Sequence, residues 1–226
     1  DPDHIPFPNF LDKVLGHFED QKVGFVQVSQ AYYNQYRSFT AKGAAEQTYG
    51  FYGPVQMGMN GRNCAVAIGA NCTFRRKALD SIGGHGIGLA EDLITSIRIH
   101  AAGWKSVYLG DAIIANWGPC TRKDFIKQRR QVHTGNLWLN KRQGYRVPSL
   151  QPALLLAELW RDLLDDPRRC RPTRLAWTAG AVAMEVWARA LARCDFVRGR
   201  ENRVWGMVES AKAPAPGPHR LGTRDS

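Results

Sequence analysis

Three groups of residues in this chain have types and spacings that can do chemistry. Asp1 and Asp3 stand two positions apart at the start, with His4 after them. Two carboxylates at i and i+2 near a strand end both reach over the sheet edge. There they can take Mg2+ or Mn2+ directly or through phosphate oxygens, because hard cations prefer oxygen ligands and Mg2+ shares its shell with phosphates. Glu91 and Asp92 open a helix-like segment much later in the chain. One of them can act as a general base toward a hydroxyl; neighbours on a helix point about 100° apart, so only one faces a substrate. Gln128, Arg129 and Arg130 form the third group. The planar guanidinium fork matches the oxygens of a diphosphate. Taken together, these groups suit transfer from a diphosphate carrier, with positive charge placed where the leaving group gains negative charge.

Each group alone has a plainer reading. An isolated Asp-x-Asp fits a solvated turn, and acids in a first helical turn answer the helix dipole. A basic triplet fits a solvated helix face, and Gly69-Ala70-Asn71 fits ordinary turn chemistry. Neither His4 nor His85 is assigned a role.

The elements that must position these residues follow from pattern. Asn9 is placed to cap a helix through Leu11, Val14, Leu15 and Phe18. Val23 to Val28 reads as a strand and residues 31–35 as a loop. Residues 39–56 read as a helix weakened by Gly43, Gly50 and Gly53. Cys64 to Ile68 reads as a short strand, and a short helix after Arg75 ends at Gly83-Gly84. A helix over 90–102 stops at Gly103; strands follow at 104–109 and 112–115. Thr121 to Leu139 is a helix carrying the basic triplet. A helix after Pro148 to about Leu164, a Pro/Arg-rich break and a helix from Thr173 to about Cys194 complete the chain, with 213–226 as a disordered tail. Alternating strands and helices predict an α/β fold with a mostly parallel mixed sheet, divided as 1–146, a basic helical region 147–212, and the tail.

The net charge of +11 is unevenly placed. Residues 1–116 hold ten Lys/Arg and ten Asp/Glu, so the surplus belongs wholly to 117–226. That asymmetry predicts an anionic partner for the second half. Nucleic acid is disfavoured, because no nucleic-acid motif is present and aromatics do not interleave with the basic run. Five scattered Cys, none in a CxxC pair, signal neither a zinc site nor a disulfide framework. No apolar run approaches the roughly 20 residues that span a bilayer. The helix from Thr173 instead puts Leu175, Ala179, Val182, Val186 and Ala190 near one face. Trp177, Trp187, Arg174, Arg189 and Arg193 stand ready for an anionic membrane surface.

Order and spacing across the first half resemble bacterial cellulose synthase-like members of glycosyltransferase family 2. The resemblance rests on Asp1-Pro2-Asp3-His4-Ile5-Pro6 and on Phe25 to Gln30 followed by Tyr32-Tyr33-Asn34. It extends to Gly69 through Arg76 with Ile82-Gly83-Gly84, and to Ala90-Glu91-Asp92 with Ser96, Arg98 and Gly103-Trp104. The family's Gln-x-x-Arg-Trp motif is met only at Gln128; Gln131 and Val132 stand at its Arg and Trp. Residues 125–139 look more like the QRRR-type helix of other family 2 transferases.

The resemblance implies the C-terminal part of a nucleotide-diphospho-sugar transferase (GT-A-like) fold followed by basic helices. It implies inverting, Mg2+- or Mn2+-dependent transfer of a hexose from a nucleotide-sugar, a UDP-sugar above all, to a saccharide or lipid-linked acceptor. Asp1 and Asp3 would serve the metal and diphosphate, and Asp92 would be the base. Glu91 and Asn71 would bind acceptor, and Gln128, Arg129 and Arg130 the diphosphate. The parent protein would lie at the cytoplasmic face of the inner or plasma membrane. The family's nucleotide-binding strands precede Asp-x-Asp, so residues 1–226 alone are expected to be inactive. The competing expectation is a non-catalytic remnant acting as a basic membrane-surface module.

Overall fold

The computed structural model describes residues 4–69, 71–144, 172–201, 205–206 and 208. Its centre is a four-stranded mixed sheet in the order β1-β4-β2-β3. Here β1 is Ile5–Pro6, β2 Val23–Tyr32, β3 Cys72–Phe74 and β4 Lys105–Asn116. The long central pairing, β2 with β4, is parallel and runs from Val23↔Lys105 to Tyr32↔Asn116; the short flanking pairs β1·β4 and β2·β3 are antiparallel. The expectation of a mixed sheet dominated by parallel pairing therefore holds. Because both faces of β2 are covered, Val23 through Val28 are buried without alternation.

Helix α1 (Phe10–Leu15) covers one side through Val14, which packs with Val23, Val26, Val28 and Ile114. Phe25 belongs to a separate cluster with Ala67 and Ile99 of α5 (Glu91–Ala101). The two strands expected at 104–109 and 112–115 are one strand with an irregularity. Val28 pairs with Leu109 but Ser29 with Ile113, so residues 110–112 are extra on β4. Lys13 ties α1 to that bulge, donating to Asp111 O (2.8 Å) and Oδ2 (2.7 Å).

The helix expected over 39–56 is interrupted. It runs as α2 (Phe39–Gly50), a π-turn (Phe51–Val55) and α3 (Gln56–Asn60). Helix α4 (Arg76–Ser81) is short, as its glycines predicted. Residues 64–68, expected as a strand, join no sheet. Helix α6 (Arg122–Gln143) starts at Thr121, whose hydroxyl accepts from Asp124 N (3.2 Å), and ends at Gly144 in the left-handed conformation.

Helix α7 (Pro172–Val197) packs on α2 and α6. Two glycines permit the α2 contact. A Cβ on Gly43 would lie 2.9 Å from Trp177 O, and one on Gly180 would lie 2.5 Å from the Phe39 ring. The face turned to the body carries Ala181, Ala188, Ala192 and Asp195. The expected apolar stripe points the other way: Leu175, Ala179, Val182, Val186 and Ala190 are exposed, as is Trp187 at 58%. Among the described residues no helix is long and apolar enough to cross a membrane. The helix expected after Pro148 and the tail at 213–226 lie outside the described residues.

Candidate active site

The segment from Cys64 to Asn71 is the foundation of the site. Residues 65–67 are buried yet unpaired in any sheet, so their backbone N–H groups need other acceptors. Four successive N–H groups find them in side chains. Val66 N donates to Gln56 Oε1 (3.3 Å), Ala67 N to Ser96 Oγ (2.7 Å), Ile68 N to Gln27 Oε1 (2.7 Å) and Gly69 N to Asp92 Oδ2 (3.0 Å). Gln27, Gln56 and Ser96 are fully buried because they stand in for a strand partner. Gly69 turns the chain at φ +53°, a region that favours glycine. Asn71 then returns it to β2, its carbonyl accepting from Val28 N (3.0 Å).

Asp92 is the last link in this series. It lies in the first turn of α5, where Ser96 Oγ donates to its carbonyl (2.9 Å) and Leu93 N approaches its Oδ1 (2.7 Å). Burial pushes its carboxyl up to about 6, against the Gly69 and Leu93 N–H groups that favour the anion; the neighbouring Glu91 charge adds to the rise. The side chain nevertheless keeps part of its surface open. A partly open carboxylate that is ionised at neutral pH but titrates close to it is suited to accept a proton.

Beside it lies a closed triangle of polar side chains. Tyr52 OH donates to Gln30 Oε1 (3.0 Å), and Asn71 Nδ2 donates both to Gln30 Oε1 (3.1 Å) and to Tyr52 OH (3.2 Å). Asn71 is 2% exposed, and its Oδ1 has no partner among the described residues. Glu91 Oε2 is likewise buried without one among them. Buried acceptors left open cost about 1–3 kcal/mol each, and a ligand hydroxyl would relieve them. Gln30 sits near the carboxyl end of β2, and Asn116 closes β4 beside Tyr32. Asn116 Nδ2 donates to His4 Nε2 (2.9 Å), which brings the residue after Asp3 to the same end of the sheet. Ligands of open α/β sheets gather at the carboxyl ends of parallel strands.

Asp1 and Asp3 themselves lie outside the described residues. Among the described residues no three His, Cys, Asp or Glu side chains converge to hold a metal.

The basic triplet behaves differently from expectation. Gln128 is half-buried on α6. Arg129 closes both arms on Glu185 (2.7 and 2.8 Å), and Arg130 does the same on Asp195. His133 adds a third bond to Glu185 (2.8 Å). Burial alone would raise the Glu185 carboxyl; Arg129 and then His133 outweigh it and hold it well below the usual range. The structure thus commits both arginines to the α6–α7 seam. Arg174, expected at a membrane surface, is bonded to Glu46 of α2 (3.1 Å). Gln131, at the motif's Arg position, exchanges hydrogen bonds with the backbone of Gly206.

Tyr52, Gln27, Gln30 and Gln56 received no role from sequence. The three glutamines are amides set among apolar residues, and Gln27 and Gln30 belong to the motif stretch Phe25 to Gln30; Tyr52 carried no such signal.

Comparison with known proteins matches residues 1–193 to the family described as Glycosyl transferase family group 2. A UDP-forming cellulose synthase catalytic chain of Dictyostelium discoideum is 30% identical over 198 residues, covering 83% of this chain and 18% of that protein. The UDP-forming cellulose synthase catalytic subunit of Komagataeibacter sucrofermentans is 31% identical over 115 residues, covering 48% of this chain and 15% of that protein. The chain spans less than a fifth of the length of either relative.

Proposed function

The chain belongs to glycosyl transferase family group 2 and is cellulose synthase-like, and from that premise we propose that it carries the acceptor side of an inverting glycosyltransferase site. The observation that carries the reading is Asp92: a partly open carboxylate, held by Gly69 N–H and titrating near 6, beside the open Oδ1 of Asn71. Asp92 takes the proton of an acceptor hydroxyl as that oxygen bonds to the anomeric carbon and the bond to the leaving diphosphate breaks. Asn71 and Glu91 receive hydroxyls of the acceptor. Both relatives are UDP-forming enzymes, which supports a UDP-sugar donor and a saccharide acceptor; a lipid-linked acceptor fits the same site. Asp1 and Asp3 would hold Mg2+ or Mn2+ together with the donor's phosphates, and the cation would supply charge neutralisation. Gln128 stays on the donor side, whereas Arg129 and Arg130 hold α7 in place.

A membrane surface as second partner is favoured by one observation, the exposed apolar stripe of α7. On this reading the enzyme works at the cytoplasmic face of a membrane. The same stripe would serve a non-catalytic surface module, so the deciding measurement is turnover. In the full-length protein, Asp92→Asn is expected to cut transfer by about 10²–10⁴-fold while leaving donor affinity intact, since the amide keeps shape but accepts no proton. Equal loss of donor affinity and turnover would remove Asp92 as the base.

A further inference from the structure

Tyr52 is placed by an unusual piece of backbone. The π-turn Phe51–Val55 separates α2 from α3, and such turns are uncommon and frequent at functional sites. The Tyr52 ring is 3% exposed, stacked near Tyr108 with centroids 6.4 Å apart and edge-on to Phe51 at 5.5 Å. It shares a packed cluster with Ala65. Burial pushes its hydroxyl well above the usual range, so it stays protonated and takes no proton itself. The ring thus belongs to the cluster that takes in Ala65, and its hydroxyl accepts from the Asn71 side chain.

Between those two points lies Gly69, whose N–H is the link to Asp92. The Gly69 N–H shares its peptide unit with the Ile68 carbonyl, which accepts from Asn71 N (3.5 Å); Gln27 holds Ile68 N, and Gln30 and Tyr52 hold the Asn71 side chain. Gly69 carries no side chain of its own to anchor it, so the direction of its N–H depends on these flanking contacts.

We propose that Tyr52 is a positioning residue for proton transfer: through Gln30 and Asn71 it holds the Ile68–Gly69 peptide unit so that the Gly69 N–H stays on the Asp92 carboxylate. This rests on Asp92 being the base. Loosening the turn weakens a hydrogen bond that favours the anion, so the Asp92 carboxyl rises further. The titratable groups that face Asp92 are Glu91 on its own helix, Tyr52 from the π-turn and Cys72 from β3. Burial and then the Asp92 charge raise the Cys72 thiol, so it is neutral across the working range.

The test is the pH profile of transfer in the full-length protein for Tyr52→Phe. The expected result is an acidic limb moved up by about half to one pH unit, with kcat on that limb, below about pH 5.5, down by about 3- to 10-fold, within about twofold of wild type at pH 7 and closing on it in alkali. Donor KM should stay within about twofold. Gln30→Met removes the shared acceptor at nearly constant volume and should move the limb the same way. The double variant should be no worse than the weaker single one, because both act through one turn. A loss equal at every pH, or an unmoved limb in Gln30→Met, overturns the inference. Asp92→Asn, run in parallel, separates the two claims. If that variant remains active, the base assignment fails; if it is inactive while the limb stays put, only the role of Tyr52 fails.

Discussion

If Asp92 is held in a setting that disfavours its charge, removing the charge should stabilise the fold while it removes activity. The perturbation is Asp92→Asn. The folded carboxyl ionises at about 6 against an ordinary value of 3.8, a difference of about two units, and each unit is worth about 1.36 kcal/mol. The sign follows from proton counting. Between about pH 4 and pH 6 the unfolded chain has released this proton while the folded chain still holds it. Stability therefore falls as pH rises through that window and levels off above it. The full cost at pH 7 is about 3 kcal/mol, less whatever the amide loses in accepting Gly69 N–H, which leaves about 2 kcal/mol. The amide variant has no charge to titrate at this position, so its stability is flat across the window. Urea denaturation of the 226-residue chain from about pH 4 to pH 8 is the assay. The two proteins should match near pH 4 and separate by about 2 kcal/mol at pH 7, with the variant more stable. A variant equal to or weaker than wild type at pH 7–8 would refute the claim that burial strains this carboxylate.

Three other outcomes are expected. Glu185→Gln leaves Arg129 and His133 facing an amide across the α6–α7 seam, which should cost about 2–4 kcal/mol in urea denaturation at pH 7. Because the Glu185 carboxyl is held below its usual range, its contribution is present above that range and lost as pH falls through it, so the gap should narrow in acid. Asp3→Ala should weaken Mn2+-dependent donor binding far more than metal-free binding, read by titrating Mn2+ against donor affinity; identical metal dependence would remove Asp3 from the site. Val182→Glu with Val186→Glu should abolish sedimentation with anionic lipid vesicles without lowering the denaturation midpoint, since both side chains are exposed; binding that survives the change would leave the α7 stripe without a membrane role.

What was legible in the sequence is what depends on periodicity and caps. Helix α6 begins at Thr121 because a hydroxyl there can accept from Asp124 N. Helix α5 ends before Gly103, which takes φ +84°. The apolar stripe of α7 was readable as a stripe, but not which side of the helix would meet the body. The larger residues were read as facing a membrane surface, and they are exposed; what the pattern did not show is that the small Ala181, Ala188 and Ala192 allow the close approach to α2 and α6. The arginine pair was legible as a pair of forks, but it was assigned to a diphosphate rather than to carboxylates of this chain. Its partners lie more than fifty positions away on α7, and single-element patterns carry no information about such distances.

The segment at 64–68 shows why the site itself was only half visible. Its composition, short and apolar, is that of a strand, and its burial is that of a strand. What it lacks is a neighbouring backbone, and Gln56, Ser96, Gln27 and Asp92 supply acceptors in its place. Gln27, Gln56 and Ser96 look ordinary on their own elements, because their purpose is set by a segment elsewhere. A backbone held by side chains from β2, α3 and α5 can be aimed more finely than one fixed in a ladder, whose register moves in whole residues. It is also more fragile, since each acceptor is a single side chain, and a missing one leaves a buried N–H open at about 1–3 kcal/mol. Asp92 belongs to the same set as the structural acceptors. The placement of this proposed base is therefore inseparable from the folding of the segment, which Gln27, Gln56 and Ser96 hold through the neighbouring N–H groups.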